Sequence, residues 1–194
     1  MKHAATSALY AYWNRLRAGR TAPERGDLDP AAIRDLLGDI FLLELGGVDR
    51  YRVRLAGTRI CALMGRELTG RPLVEAFAAE DRTDVYSLLG GVAATAVPVV
   101  AGVVGNTADG RKLDLELLVL PLKHRGRTHA RMLGSLTALE VPYWVGTEPL
   151  APLHLASIRY MHRDHGPAGD EIDLVTPPPR VAAGRLRLLP GGRG

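Results

Sequence analysis

The chain has 194 residues, 46% of them apolar, and its 25 lysines and arginines against 21 acidic residues give a formal net charge of +4. This size and composition fit one domain with a sizeable core and some appendages. The single Cys61 excludes an internal disulfide, and with no apolar run near 18 residues and no signal-peptide pattern we expect a cytoplasmic protein.

The first predicted element is a helix over residues 6–18. Leu9, Tyr12, Trp13 and Leu16 recur at helical spacing and form an aromatic stripe. Such a stripe must be covered, either by the sheet of its own domain or by a second copy of the chain. Tyr12 and Trp13 are therefore candidate interface residues in an expected homodimer.

Several arginines follow this stripe: Arg15, Arg17, Arg20 and Arg25. Acids that could pair with them are close in sequence: Asp27, Asp29 and Asp35. The alternative is that the arginines hold an anionic ligand or partner, for which Arg17 and Arg20 are the candidates. We assign residues 1–29 to this helix and its arm.

The main domain is expected over residues 30–160. Asp29 is placed to cap a short helix with Pro30 at its first position. The apolar segment 40–45 then reads as a central strand, and Gly46-Gly47 leads into a hairpin with a strand at 51–56.

Residues 51–77 change from strand to helix periodicity. Alternation puts three apolar side chains on one face of the strand: Tyr51, Val53 and Leu55. After Gly57, a short helix presents its own apolar face: Ile60, Leu63 and Met64. Gly65 ends that helix, and a second short helical stripe ends at Phe77.

The remaining elements are a helix over 81–94 and three strands over 97–106, 111–122 and 130–140. A basic loop separates the last two strands, and the 130–140 strand is predicted to be the last of the core. Residues 161–194 are expected to form a disordered tail rich in Pro, Arg and Gly.

The element order and several segments together resemble a divergent group of short bacterial PAS-domain proteins. The segments are YWNRLRAGRTAPERGDLDP (12–30), YRVRLAGTRI (51–60), ELTGRPL (67–73) and RMLG (131–134), and the resemblance covers roughly residues 8–160. It implies an α+β fold: a five-stranded antiparallel sheet with short helices on one face and a flanking N-terminal helix. It also implies a stand-alone sensory or regulatory module without catalytic activity, which binds a small molecule, a protein partner, or both.

The resemblance implies a ligand cavity between the sheet and the helices. The candidate lining residues are Val53, Leu55, Ile60, Met64, Phe77, Leu117 and Leu136, with Tyr86 as a polar handle. The same apolar residues would equally fill a packed core.

Two cofactor classes of the family are disfavoured by the residues present. Cys61 lacks the Asn-Cys-Arg context of a reactive flavin-binding cysteine and is expected to be a small core residue. No histidine lies between His3 and His124, where a haem ligand on the long helix would be needed.

Other functions find less support. Late in the chain, His154, His162, Asp164 and His165 cluster without further metal-ligating neighbours, so no metal site is predicted. Hydrolase, P-loop and zincin motifs are absent from the sequence, and Asp114 and Glu116 are expected to pair with cross-strand arginines such as Arg52, Arg54 or Arg131. The alternative function is a nucleic-acid-associated regulator that uses the tail and the 123–131 loop, although the four arginines after Leu174 are dilute for such a role.

Overall fold

The computed structural model describes residues 1–46, 51–125, 127–150 and 152–161. The α-helices are α1 (Ala4–Arg17), α2 (Thr58–Met64) and α3 (Arg82–Thr95). Three segments are 3-10 helices: Arg25–Asp27, Pro30–Asp39 and Leu73–Ala76. The strands are β1 (Ile40–Glu44), β2 (Arg52–Ala56), β3 (Val99–Asn106), β4 (Lys112–His124), β5 (Arg127–Ala138) and β6 (Leu153–Tyr160).

The strands form one antiparallel sheet in the order β2-β1-β5-β4-β3-β6. This confirms the expected α+β class and the helix-covered antiparallel sheet. The expected strand number is corrected from five to six, because β6 adds to the free edge of β3. Most residues of β6 are partly or fully exposed, and the sequence LHLASIRY lacks the clean alternation of a half-buried strand.

The predicted basic loop between β4 and β5 is also corrected. β4 runs to His124, β5 begins at Arg127, and these two residues are register partners. The backbone N–H of Lys123 donates to the Pro23 carbonyl at 2.9 Å. The segment required by the nucleic-acid alternative is therefore mostly strand rather than an open loop.

The inner face of the sheet, defined here as the face under α2, α3 and the 3-10 helix Leu73–Ala76, carries the larger core. Alternate residues of the central strands point to it, among them Phe41, Leu117 and Leu136. Gly134 shares this face, and a Cβ at that position would overlap the Phe41 ring. The sheet and helices are thus in direct contact across an apolar layer.

The outer face is covered by α1. Leu9, Tyr12 and Trp13 pack on the alternate residues of the same central strands, such as Leu118 and Leu133. The sequence left two possible covers for the aromatic stripe, the sheet of its own domain or a second copy of the chain. In the structure the sheet of the same chain covers it. None of the helices in the described ranges is long and apolar enough to cross a bilayer.

A bulge in β2 changes the face of one predicted residue. β1 pairs Leu43 with Val53 but pairs the adjacent Leu42 with Leu55, so Arg54 is an extra residue without a β1 partner. Leu55 therefore lies on the face opposite to Val53, and it is 47% exposed. The expectation of strict alternation through Leu55 is wrong for this reason.

The helix ends follow from local chemistry. The Asp29 side chain accepts from the Ala31 N–H and Pro30 follows, as predicted, although the helix is 3-10 rather than α. α2 ends at Gly65, whose φ of 60° is the left-handed conformation that glycine adopts easily. Gly57 is the N-cap of α2.

Candidate functional site

A small apolar cavity lies between the inner face and the helices. Six of the predicted cavity residues line it: Val53, Ile60, Met64, Phe77, Leu117 and Leu136. Five residues that the sequence did not single out complete its wall: Phe41, Leu68, Leu73, Ala76 and Leu153. The cavity volume is about 10 Å³, which is room for about one water molecule.

The cavity wall combines two kinds of element. β2, β4 and β5 supply Val53, Leu117 and Leu136 from below, whereas α2 supplies Ile60 and Met64 from above. All of the lining side chains are apolar. This site can therefore hold an apolar group by burial and shape, but it offers no side-chain hydrogen bond.

Leu55 and Tyr86 are not among the cavity residues. Leu55 is on the outer face because of the bulge at Arg54. Tyr86 lies on α3 and is 42% exposed; its ring contacts the Tyr51 ring edge-on, with 5.2 Å between centroids. No residue of α3 lines the cavity, and the spacing of apolar residues in the sequence could not show this.

The segment after β5 closes one side of the cavity. The Leu150 N–H donates to the Leu63 carbonyl at 2.7 Å, and the Ala78 N–H donates to the Leu153 carbonyl at 2.9 Å. Leu153 itself is part of the cavity wall. This contribution was not predicted, since the last core strand was expected to end at residue 140.

The two aromatic interface candidates are buried by their own chain. Trp13 is 1% exposed and its Nε1–H donates to the Pro121 carbonyl at 2.8 Å. The Tyr12 hydroxyl accepts from the Asp29 N–H at 2.7 Å. These residues are not available as a surface for a second copy of the chain.

The arginine candidates have local contacts. Arg20 Nη2 lies 2.9 Å from Asp27 Oδ2, and the Arg17 guanidinium lies 5.4 Å from the centroid of the Trp13 ring. Arg17 Nε also donates to Asn14 Oδ1 at 2.6 Å. These contacts correspond to the local-pairing account rather than to an assembled anion site.

Glu116 has a role that the sequence analysis missed. It is 4% exposed and accepts from the backbone N–H groups of Lys2 at 2.7 Å and of His3 at 3.0 Å. The predicted cross-strand pairing is wrong, because Arg54 and Arg131 pair with Glu44 instead. Glu116 alternates with leucines, which placed it on the opposite face of the sheet from them. Nothing in the neighbouring sequence indicated that residues 2 and 3 would cover it.

Cys61 was expected to be a small core residue. It is instead only half-buried on α2. Its thiol donates to Glu67 Oε1 at 3.6 Å. Burial raises the pKa of the Cys61 thiol, and the nearby Glu67 carboxylate raises it further. A thiol held protonated in this way is a poor nucleophile at neutral pH.

The late histidine cluster falls only partly within the structure. His154 Nδ1 lies 3.2 Å from Asp81 Oδ2 and 3.9 Å from Glu80 Oε1. His162, Asp164 and His165 lie outside the described residues. Within the described ranges, no group of three or more histidine, cysteine or acidic side chains is placed to hold a metal ion.

Several solved structures are similar to this chain. The Rhodobacter sphaeroides LOV protein aligns at 14% identity and a TM-score of 0.44, over 54% of this chain and 61% of that protein. An RNA-binding Light-Oxygen-Voltage receptor aligns at 15% identity and a TM-score of 0.46, over 61% of this chain but 34% of the receptor. The LOV domain of the Erythrobacter litoralis EL346 blue-light activated histidine kinase aligns at 15% identity and 0.43, over 53% of this chain and 96% of that domain.

No curated protein matches the sequence significantly. The model of the PAS domain family does match it, over residues 1–137, from α1 to the end of β5. This match includes neither β6 nor the segment that connects β5 to β6. Because it spans well over half of the sequence, the chain belongs to the PAS domain family.

Proposed function

We propose that the protein is a sensory or regulatory module without catalytic activity, and that its signal is a small apolar molecule bound between the inner face and the helices. The observation that carries the proposal is the wholly apolar cavity walled by β2, β4, β5, α2 and the Leu73–Ala76 helix. Membership of the PAS domain family supports the same reading.

The cavity is nearly filled, so ligand binding requires movement. At about 10 Å³ it is far smaller than the roughly 300 Å³ of a small ligand pocket. The short α2 and the Leu73–Ala76 helix cover it, whereas the sheet below is held by continuous strand pairing. We therefore place the opening movement in these two short helices.

The route by which occupancy is passed on is the segment after β5. Leu153 is both a cavity residue and the first residue of β6. Displacement of this residue would disturb the pairing of β6 with β3. A cytoplasmic partner, or the second chain of a homodimer, would then respond to the state of β6.

Native mass spectrometry of protein isolated from its own host tests the proposal. We expect a mass excess of one molecule per chain that disappears on denaturation. Leu136→Phe fills the cavity and should abolish this excess, whereas Leu133→Phe, on the outer face of the same strand, should retain it. Equal retention in the two variants would contradict the assigned site, and a protein that carries no molecule would contradict ligand binding.

A further inference from the structure

A second and larger concavity adjoins the apolar cavity. It is an open groove of about 470 Å³ on the protein surface, within the size range of small-molecule sites. Its lining comes from the end of α2, the segment from Glu75 to Arg82, and the segment before β6: Met64, Gly65, Arg66, Glu75, Ala76, Phe77, Ala78, Ala79, Arg82, Pro149 and Pro152.

The floor of this groove is the wall of the cavity. Met64, Ala76 and Phe77 line both, and each is almost completely buried. Pro149 packs closely on the end of α2, where a Cβ at Gly65 would lie 2.5 Å from Pro149 Cβ. The apolar surface that a group in the groove would meet is therefore that of the exposed lining residues Ala79, Pro149 and Pro152.

Two guanidinium groups lie at the rim. Arg66 Nη2 donates to the Glu75 carbonyl at 3.3 Å, and Arg82 Nε donates to the Phe77 carbonyl at 3.1 Å. Each of these bonds uses one of the five N–H donors of a guanidinium, so several donors remain on each arginine. Neither arginine takes part in an ion pair among the described residues.

The charged residues of the groove favour a negatively charged ligand. Its one acidic residue, Glu75, lies 3.9 Å from Arg71, which is not a lining residue. Two arginines and one glutamate give the lining a net charge of +1. Because Glu75 faces Arg71, the two lining guanidinium groups leave the groove positive, and the planar fork of each can bind a carboxylate through two parallel hydrogen bonds.

We propose that this groove binds a small carboxylate with an apolar body, with the carboxylate on Arg66 and Arg82 and the apolar body on Ala79, Pro149 and Pro152. This inference goes beyond the proposed function, because the groove is a second site beside the apolar cavity and takes a ligand of a different class. Pro149 and Pro152 stand on either side of Leu150 in the sequence, and the Leu150 N–H donates to the Leu63 carbonyl. Binding would thus act on the segment that leads into β6.

The test compares two ligands of equal chain length, decanoate and decanol, by isothermal titration calorimetry on the full chain. We expect decanoate to bind at least about tenfold more tightly than decanol, because only decanoate forms charge-assisted hydrogen bonds. Arg66→Gln and Arg82→Gln should each weaken decanoate binding by about tenfold and leave decanol unchanged. Arg34→Gln, at an exposed arginine that does not line the groove, is the matched control and should change neither.

A charge placed inside the groove gives an independent check. Ala79 is exposed and lines the groove. Ala79→Glu should abolish decanoate binding by repulsion, whereas the isosteric Ala79→Gln should preserve it. Chemical-shift changes of the Ala76, Ala78 and Ala79 methyl groups should report the bound ligand.

The outcomes separate this inference from the proposed function. Equal binding of decanoate and decanol, unchanged by the arginine variants, would overturn the carboxylate site and leave the apolar cavity as the binding site. The absence of decanoate binding at millimolar concentration would also overturn it, while the mass-spectrometric test of the cavity would stand separately. Methyl shifts confined to residues outside the groove would overturn the location.

Discussion

The two faces of the sheet are both buried, but they are covered in different ways. The inner face meets α2, α3 and the Leu73–Ala76 helix through apolar side chains around the cavity. The ends of these short helices are tied by backbone hydrogen bonds, from the Leu73 N–H to the Tyr51 carbonyl at 3.1 Å and from the Leu150 N–H to the Leu63 carbonyl at 2.7 Å. The outer face meets α1 through apolar side chains and through several directional hydrogen bonds, including those of Trp13 and Glu116.

This difference has a mechanical consequence. An apolar contact depends on area and changes gradually as surfaces slide, whereas a buried hydrogen bond is lost once its geometry is lost. The side-chain hydrogen bonds of the outer cover therefore hold it in one position. In the inner cover the side chains that face the cavity are apolar, so we expect them to shift between the hydrogen-bonded ends of the short helices when a ligand enters. In our account the sheet and α1 form the rigid part of the molecule and the short inner helices form its responsive part.

The largest expected effect comes from truncating neighbours on opposite faces of β4. Leu117→Ala and Leu118→Ala should each lower the free energy of unfolding by about 2–5 kcal/mol, since both side chains are fully buried. Leu117→Ala adds its void to the existing apolar cavity, so added benzene should stabilise this variant more strongly than Leu118→Ala. Urea denaturation with and without benzene measures both effects, and stabilisation of Leu118→Ala instead would reverse the comparison.

The directional contacts of the outer face are tested at Glu116. Glu116→Ala leaves two backbone N–H groups without their carboxylate and should cost about 1.5–3 kcal/mol. Asp114→Ala, two residues away and exposed, is the control and should stay within about 0.5 kcal/mol of the parent. Equal stabilities of the two variants would show that the polar contacts do not anchor the start of the chain.

The bulge in β2 predicts a smaller difference between two residues that share a face in an ideal strand. Val53→Ala should lower the free energy of unfolding by about 1–2 kcal/mol because Val53 is 1% exposed. Leu55→Ala should cost about 0.5 kcal/mol, although it removes more atoms. A larger loss at Leu55 than at Val53 would mean that the strand has no bulge and that Leu55 faces the core.

The smallest effect concerns the reactivity of Cys61. Because the pKa of Cys61 is raised, the pH midpoint of its alkylation by iodoacetamide should lie above 9.0, the ordinary value for a thiol. Glu67→Gln should lower this pH midpoint by removing the neighbouring charge. Because the folded pKa is the higher one, the thiol's contribution to stability is present below pH 9.0 and lost as the pH rises through the folded pKa. An unchanged alkylation profile in Glu67→Gln would remove Glu67 as a cause.

Much of the fold followed from periodicity. Ile60, Leu63 and Met64 marked the buried face of α2, and the strand and helix patterns placed the central strands and α3 within a few residues. These elements are predictable because each buries one face, and the burial pattern is written in its own sequence.

The features that were missed depend on distant partners. The bulge at Arg54 depends on pairing with β1, and the burial of Glu116 depends on the backbone of residues 2 and 3. β6 is an edge strand whose position is set by the free edge of β3, not by its own alternation. The groove is formed by three segments, so neither Arg66 nor Arg82 carries a local signal for it.

The most direct test of the central claim is a crystal structure of the protein carrying the molecule with which it is isolated from its own host. The account predicts electron density between the sheet and the short inner helices, in contact with Leu117 and Leu136. It also predicts that α2 and the Leu73–Ala76 helix are displaced outward while α1 stays on the outer face. A bound molecule on the outer face, or inner helices unmoved with the cavity still closed, would contradict the account.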